Sequence, residues 1–350
     1  MAYSNVGTCV FYIDNYLYQK TIGISEPLDG GDLYITPDEN PELFTMNPIF
    51  TTELSSDRFA YIPLPSSIDK YDFSGNMKYY TAILNHNANG VSLMNWLQYL
   101  SELETTDAIL DISEVLNAQG DGSVLMPDSG STIITTSQNL SSGGLVLNFN
   151  NDISVGAIST GVQYTMPYSP DLKLSMEIEM EGTNTITTSG GASLSNIQYT
   201  GNPFWVNGDS QTNPFEVYNN TLDARQVGAR RNGRKSWSLK FSYLSDTDLF
   251  SSNPKASSYT EHPADSTYSN NDLASGSQVS GGSLAHNIDS DDSFVAQVWN
   301  KAGLGIPFIF QPNSNDRDDF YICRFDQDSL KVSQSAFKVY DVSLKIVEAW

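Results

Sequence analysis

Residues 236–243 have the sequence SWSLKFSY and decide how the C-terminal third of the chain is interpreted. Apolar side chains stand at every second position, with Ser or Lys between them. A period of two is expected of a strand with one buried face and one wet face. The segment therefore predicts a β-strand, whose apolar face is made of Trp237, Leu239, Phe241 and Tyr243.

The sequence after this strand predicts one helix and then four strands. Phe294, Val295, Val298, Trp299 and Ala302 follow helical spacing, and Gly303 comes where a helix cap favours glycine. Apolar runs separated by turn residues follow at 307–312, 320–325, 330–333 and 339–350. The order is a strand, a polar segment, a helix and then a meander of strands. This order predicts a small β-barrel with one helix packed outside it.

Four segments carry a resemblance to a known family: RKSWSLKFSYLSD at 234–246, VWNKAGLGIPFIFQP at 298–312, FYICRFDQ at 320–327 and VYDVSLKIVEAW at 339–350. Together they resemble the tube-forming β-barrel of bacteriophage tail proteins, especially the distal tail and minor tail hub families. The resemblance covers residues 225–350 and is a pattern of elements rather than a catalytic signature. It implies a virion protein, assembled in the host cytoplasm, that forms a ring with itself, usually a hexamer. Tail tube and tail-tip or hub proteins are the other partners that it implies.

Composition favours a β-rich protein and limits its partners. The chain has 350 residues, of which 39% are hydrophobic and only 17% are charged, so polar turn residues fill the difference. A formal net charge of −23 opposes binding to nucleic-acid phosphates and to anionic membranes. We therefore expect no sequence-specific nucleic acid as a partner. The length allows two or three domains.

Neither a signal peptide nor a membrane span is indicated by the sequence. The start, MAYSNV, has no basic region, and no later run reaches the roughly 18 apolar residues of a spanning helix. We therefore expect no membrane insertion. Cys9 and Cys323 lie in apolar runs at opposite ends of the chain and are predicted to be buried thiols, with their pairing left open.

The first 218 residues are predicted to form a β-rich region appended to the barrel. Strands are expected at residues 9–13 and 16–18, a helix at 92–102, and either a strand or a helix at 109–116. From about residue 131, short strands with Gly and Ser turns predict a jelly-roll-like β-sandwich. The clearest alternation in the chain, at 172–180, belongs to it.

The barrel is assigned to residues 219–350. A polar segment at 251–290 has almost no aliphatic residues and is predicted to leave the barrel as an inserted loop. The predicted boundary follows the change at about residue 219 from short, Gly-rich strands to a run rich in Arg and Lys.

Candidate catalytic residues each lack a partner at a usable spacing. His86 is interpreted as a hydrogen-bonded structural histidine, and Glu177 and Glu179 as a solvated strand face. Ser210, in the sequence GDS, has no downstream partners for a catalytic triad. No phosphate-binding loop, dinucleotide fingerprint or metal-ligand spacing occurs, so we expect no enzyme, no cofactor and no metal site.

An alternative function is glycan binding by a virion protein. Tyr164, Tyr199 and Trp205 are candidates for an aromatic sugar platform in the sandwich region, and host surface glycans would then be the partner. Aromatic residues make up 11% of the chain, so three of them close in sequence are also expected by chance.

Six of the 18 basic residues lie within residues 225–240. This clustering suggests either an electrostatic docking strip or a solvated loop and strand edge. In the docking interpretation, cyclic closure needs a complementary acidic patch on the neighbouring subunit. The predicted subunit or ring interface consists of Arg230, Arg231, Arg234 and Lys235 with Asp316, Asp318 and Asp319.

Overall fold

The computed structural model describes residues 7–23, 34–48, 51–64, 73, 76–88, 93–99, 112–115, 123–125, 130–137, 140, 144–171, 175–179, 183–197, 234–250, 292–303, 305–316 and 319–349. The protein is mainly β, as predicted, with several sheets and few helices.

The strands are β1 Val10–Asp14, β2 Tyr34–Ile35, β3 Thr52–Leu54, β4 Phe59–Pro63, β5 Met77–His86, β6 Leu93–Tyr99, β7 Ile112–Val115, β8 Ser123–Leu125, β9 Gly130–Thr136, β10 Gly144–Phe149, β11 Ile153–Val155, β12 Ala157–Thr165, β13 Ser175–Glu179, β14 Thr183–Thr187, β15 Ser193–Ile197, β16 Arg234–Ser245, β17 Phe308–Gln311, β18 Tyr321–Phe325, β19 Lys331–Ala336 and β20 Val339–Glu348. The helices are α1 Asn15–Thr21, a 3-10 turn Pro41–Phe44, α2 Asp246–Leu249, a π-helical turn Val295–Trp299 and α3 Asn300–Ala302.

The main sheet has ten strands in the order β13-β16-β20-β18-β17-β1-β12-β5-β9, with β19 paired to β20. β1 is antiparallel to both β12 and β17, so Phe11 lies opposite Tyr164 on one side and Phe310 on the other. The sheet therefore uses strands from both sides of the predicted boundary at residue 218. Independent folding of residues 1–218 and 219–350 stays a prediction.

The described strands do not form the expected closed barrel. The order of the main sheet ends at β13 on one side and at β9 on the other, and these two strands do not pair with each other. β1 is the physical reason, because it occupies the outer edge of β17 and continues the sheet into β12, β5 and β9. The C-terminal strands thus extend into a larger open sheet.

The local predictions for the C-terminal third are confirmed except at Tyr243. This residue was predicted on the buried face of the strand but is exposed, because a bulge after Phe241 shifts the register and Leu244 is buried instead. The SWSLKFSY segment lies in β16. Three of the later runs contain β17, β18 and β20, and the run at 330–333 overlaps the start of β19.

A π-helical turn and α3 occupy the predicted helix, where Phe294 and Val298 are fully buried. The Phe294 ring contacts Phe11, with ring centroids 5.9 Å apart, so this helix packs on the main sheet.

A second sheet of six strands has the order β2-β4-β10-β6-β7, with β8 paired to β6. Leu145 and Leu147 of β10 belong to the same buried cluster as Phe11 and Tyr79 of the main sheet. The two sheets therefore share one core. β3 with β11 and β14 with β15 form two further sheets of two strands each.

Two predictions of secondary structure in the first half of the chain are wrong. Residues 16–18 lie in α1 rather than in a strand, because the Asp14 carboxylate accepts a hydrogen bond from Leu17 N at 2.8 Å and caps the helix. Residues 93–99 form β6 rather than a helix, because the segment pairs along its length with β10. The undecided stretch 109–116 contains β7.

Both cysteines are free and buried, as predicted. Burial raises the pKa of the Cys9 thiol to about 12 and that of Cys323 well above its usual range. Within the described ranges, no helix is long and apolar enough to cross a membrane.

Candidate interaction surface

β16 begins inside the basic cluster, the six Arg and Lys residues of 225–240, with Arg234 and Lys235 as its first two residues. Because β16 is antiparallel to β20, Arg234 and Lys235 lie beside Glu348 at the end of β20. Lys235 N donates to Glu348 Oε2 at 2.6 Å, and Arg234 Nε donates to the Glu348 carbonyl oxygen at 2.9 Å. Glu348 is buried, so it satisfies these donors inside the chain.

The Lys235 ammonium also lies on the face of Tyr321, 4.2 Å from the ring centroid, and donates to the Tyr321 hydroxyl. That hydroxyl in turn donates to Asp319 Oδ1. Burial and the neighbouring Asp319 raise the pKa of Tyr321 well above its usual range. The ring of Trp237 packs on Tyr321 with centroids 5.0 Å apart. A basic and an acidic member of the predicted interface are thus joined within one molecule.

The remaining predicted interface residues divide into two groups. Asp316 is exposed in the turn after β17, where Asn313 Nδ2 donates to Asp316 Oδ2 at 3.5 Å. Arg230, Arg231 and Asp318 lie outside the described residues. Contact of this surface with a neighbouring subunit therefore stays a prediction, and Arg234 and Lys235 already have partners in their own chain.

Tyr321 and Glu348 were missed as functional candidates. A signal for Glu348 exists in the sequence, because it follows Val342, Leu344 and Ile346 at alternating positions. These three residues are buried, and Glu348 is buried on the same strand. An acid on an apolar strand face requires a partner. Tyr321 carried no such signal, since its role depends on strand pairing that is distant in sequence.

Lys240 lies on the wet face of β16. Its ammonium is 2.9 Å from Asp341 Oδ2 and 3.8 Å from Asp171 Oδ2, with the lysine side chain about half exposed. Ion pairs of this exposed kind contribute little to stability. This residue of the basic cluster is also neutralised within the chain.

Tyr164 cannot offer a face to a sugar. Its side chain is fully buried, its ring packs against Phe294, and its hydroxyl donates to the Asp248 carbonyl oxygen at 3.3 Å. Tyr164 therefore cannot be part of the predicted aromatic platform for a sugar. Its other two members, Tyr199 and Trp205, lie outside the described residues.

As predicted, His86 is a hydrogen-bonded structural histidine. Ala88 N donates to His86 Nδ1 at 3.3 Å, so Nε2 carries the proton and donates to Thr132 Oγ1 at 2.7 Å. Burial lowers the pKa of His86 to about 4. The ring is therefore neutral near pH 7.

Of the other catalytic candidates, the structure describes the side chain of Glu177, which is exposed on β13. The side chain of Glu179 and the whole of Ser210 lie outside what the structure describes. In the part of the chain that the structure describes, no three His, Cys, Asp or Glu residues come close enough to hold a metal ion.

A buried polar network lies where α1 leaves β1. Ser159 Oγ donates to Asp14 Oδ2 at 2.7 Å and lies 2.8 Å from the hydroxyl of Tyr80. Burial raises the pKa of Asp14 to about 6 despite these hydrogen bonds. Asp14, Ser159 and Tyr80 are all buried, and Asp14 caps α1, so the network positions α1 on the sheet.

The Lys301 ammonium lies in the same buried region. It donates to Gln297 Oε1 at 2.8 Å and to Asn15 Oδ1 at 3.3 Å. Lys301 and Gln297 belong to the C-terminal helical segment and Asn15 begins α1. These contacts join the two helical segments to each other.

No protein-family model matches this sequence, and no curated protein matches it significantly.

Proposed function

We propose that this chain is a structural protein of the tail of a tailed bacteriophage. Copies of it form a ring at the distal tail or baseplate hub, and this ring joins the tail tube to the tip proteins. The protein acts by assembly rather than by turnover of a substrate.

The order of the C-terminal elements is the observation that carries this proposal. A long strand, β16, is followed by α2, the polar segment, a helix packed on the sheet, and then the meander of β17, β18, β19 and β20. The resemblance to tail proteins rests on the same order. In the proposal, residues 219–350 are the tail-tube-like unit and residues 1–218 are the region appended to it.

An open sheet is compatible with a ring of such units. Side-by-side joining of sheets requires strand edges that the chain itself does not pair, and among the described strands β13 and β9 are the two ends of the main sheet. Exposed edges invite pairing with another chain. Closure of the tube would then be completed between subunits rather than inside one.

Negative-stain electron microscopy of the purified full-length chain tests the proposal. We expect rings with a central hole, and immunogold labelling of the phage that encodes the chain should mark the distal end of the tail. Compact monomers or trimers without rings, together with binding on a glycan array, would instead support the glycan-binding alternative and overturn the structural one.

The basic cluster provides a sharper version of this experiment. Arg230→Glu with Arg231→Glu should prevent ring formation if these residues contact the next subunit, whereas Arg234 is left unchanged because it bonds to Glu348 in its own chain. Lys331→Glu with Lys345→Glu is the matched control, since both lysines are exposed on strands and the change in charge is the same. Equal assembly of both variants would remove the basic cluster from the interface.

A further inference from the structure

Two helical segments meet through a lysine amine and a side-chain amide. Lys301 of α3 and Asn15 of α1 are both buried, at 1% and 4% exposure. Lys301 Nζ lies 3.3 Å from Asn15 Oδ1 and 2.8 Å from Gln297 Oε1. The centroid of the Tyr18 ring is 6.0 Å from the same Nζ atom. An amine and a carboxamide are therefore held in contact and away from water.

The amide nitrogen of Asn15 has no hydrogen-bond partner among the described residues. Buried amide groups normally have one. Rotation of the amide would not repair this, because an ammonium can only donate and therefore selects the orientation with Oδ1 toward Nζ. The carbonyl side of the amide thus faces the amine, while Nδ2 is held by no hydrogen bond.

Gln297 is the other amide beside the amine, and its nitrogen is bound differently. Gln297 is fully buried, yet neither of its side-chain atoms is among the described buried polar atoms without a partner. Loss of the Gln297 amide nitrogen would therefore break a hydrogen bond, whereas loss of Asn15 Nδ2 would break none. Gln297 accepts a hydrogen bond from Nζ and so holds the amine in place.

Burial favours a reaction between the amine and the Asn15 amide. A buried ammonium and an unbonded buried N–H group are both costly. An amide bond between Lys301 Nζ and Asn15 Cγ would remove both of them. The nucleophile in such a reaction is the neutral amine, and removal from water favours the neutral form of an amine over its ammonium.

The distance between the reacting atoms is also short. Because a C=O bond is about 1.2 Å long, Lys301 Nζ lies no more than about 4.5 Å from Asn15 Cγ. Attack needs a separation of about 3–3.5 Å, and the flexible lysine stem can close the difference. Groups that are held in this way react as though one were present at about 10⁵ M or more.

We propose that Lys301 and Asn15 become joined by an intramolecular amide bond, an isopeptide bond. The neutral Nζ attacks Cγ of Asn15, the Nζ–Cγ bond forms and the Cγ–Nδ2 bond breaks. One proton passes from Nζ to Nδ2, which leaves as ammonia. The reaction needs no oxidant, reductant or cofactor.

Asp14 is the titratable group that directly precedes Asn15 in the chain. Its carboxyl is buried and caps α1, which fixes the backbone where Asn15 begins the helix. Burial raises the pKa of Asp14 to about 6, so both of its protonation states are populated near neutral pH. An acid that can exchange a proton therefore lies next to the reacting residue in the chain.

The bond would lie at the junction of the main sheet. Asn15 follows β1 directly, and Lys301 precedes β17, the strand that pairs with β1. Strands from the two halves of the chain meet at this pair. A covalent bond between residues 15 and 301 would thus fix a junction that otherwise depends on hydrogen bonds and packing.

The intact mass of the full-length wild-type chain, measured under denaturing conditions, tests the proposal. We expect a mass that is lower than the sequence mass by one ammonia in most molecules. A wild-type chain that has the full sequence mass overturns the proposal, and this result does not depend on the folding of any variant.

Tryptic peptides locate the bond. Trypsin does not cleave after an acylated lysine, so residues 256–317 should be recovered as one peptide, linked to the peptide that ends at Lys20. Tandem mass spectrometry should place the link between Asn15 and Lys301. A link between Gln297 and Lys301, or a loss of ammonia without linked peptides, would overturn the proposal.

Substitutions provide the controls. Lys301→Met and Asn15→Ala should each have the full sequence mass. Lys345→Met is the matched control, because Lys345 is exposed and its loss should leave the missing ammonia unchanged. Asn15→Asp should lose one water in place of one ammonia if it reacts. Loss of ammonia in Lys301→Met would show that another amide is its source and would overturn the bond.

Failure of this inference and failure of the proposed function give different results. A full sequence mass removes the bond and leaves the tail function standing. Linked peptides from a protein that forms no rings support the bond and overturn the ring.

Discussion

β1 and β13 are both five-residue strands of the same sheet, yet they lie in opposite environments. β1 is paired on both edges, and all five of its residues are buried. β13 is paired on one edge among the described strands, and Met176 and Ile178 are about half exposed. Apolar and polar residues alternate far more clearly in β13 than in β1, yet β1 is the buried strand. Position in the sheet, rather than the sequence pattern, therefore determines burial in these two strands.

The largest expected loss of stability comes from a substitution in the core around β1. Phe11→Ala should lower the free energy of unfolding by about 3–5 kcal/mol, because a fully buried ring is replaced by a cavity. Urea denaturation followed by circular dichroism measures this loss. The rings that surround Phe11 at centroid distances of 5.3–6.3 Å are those of Phe294, Phe308, Phe310 and Phe325.

Phe337→Ala is the matched control in the exposed region. Its ring is 85% exposed, so the same substitution should change the stability of the monomer by less than about 0.5 kcal/mol. Similar losses for Phe11→Ala and Phe337→Ala would show that the contrast between the two regions does not hold.

The second prediction concerns pH and the carboxyl group at the end of β1. The pKa of Asp14 is raised to about 6 in the folded state by burial, so the native protein binds the proton more tightly than the unfolded chain does. Stability from this group is fully present below about pH 4 and is lost as the pH rises through 6. The loss is on the order of 3 kcal/mol.

His86 changes the pH dependence of stability in the opposite direction, over a similar range of pH. Its pKa is lowered to about 4, so its contribution is present above about pH 6.5 and is lost as the pH falls toward 4. The two contributions oppose each other in the wild type. Asp14→Asn retains a side chain that caps α1 well and removes only the first contribution.

The difference in unfolding free energy between Asp14→Asn and the wild type should therefore grow by roughly 3 kcal/mol from pH 4 to pH 7, in favour of the variant. Urea denaturation of both proteins at several pH values measures it, and groups that the two proteins share cancel in the difference. If the unfolding free energies of Asp14→Asn and the wild type change equally with pH, Asp14 is not held in a desolvated site.

Much of the C-terminal third could be predicted from sequence because its strands are aromatic-rich runs between turn residues. α1 was missed because the cap depends on the Asp14 side chain, and short apolar runs such as residues 16–18 fit a strand equally well. β6 was missed because the spacing of its large residues fits a helix, while pairing with β10 determines the strand. Burial on β13 could not be foreseen, since it depends on where the sheet ends.

The residues of the predicted interface show the same limit of prediction from sequence. A cluster of Arg and Lys in an acidic chain is visible in the sequence, but their partners are not. Lys235 reaches Tyr321 and Glu348 only because β16, β20 and β18 lie side by side. Side-chain networks between strands distant in sequence follow from register, and register is set by the whole sheet.

A smaller effect is expected from crowding at β12, the strand beside β1. A Cβ atom at Gly161 would lie 2.1 Å from the Ile13 carbonyl oxygen and 2.7 Å from Asn15 N. Gly161→Ala should therefore cost about 1–3 kcal/mol of unfolding free energy, measured by urea denaturation. Gly190→Ala is the control, because a Cβ atom there meets nothing within 4 Å. An unchanged stability of Gly161→Ala would mean that β1 and β12 can separate without cost.

The smallest expected effect lies in β13 and sharpens the contrast with β1. Met176→Thr with Ile178→Thr should change the unfolding free energy by no more than about 0.5 kcal/mol per site, because both side chains are half exposed and Thr suits a strand. Urea denaturation measures this change. A loss of several kcal/mol would show that Met176 and Ile178 pack on their own chain, and the distinction between a buried central strand and an exposed edge strand would then fail.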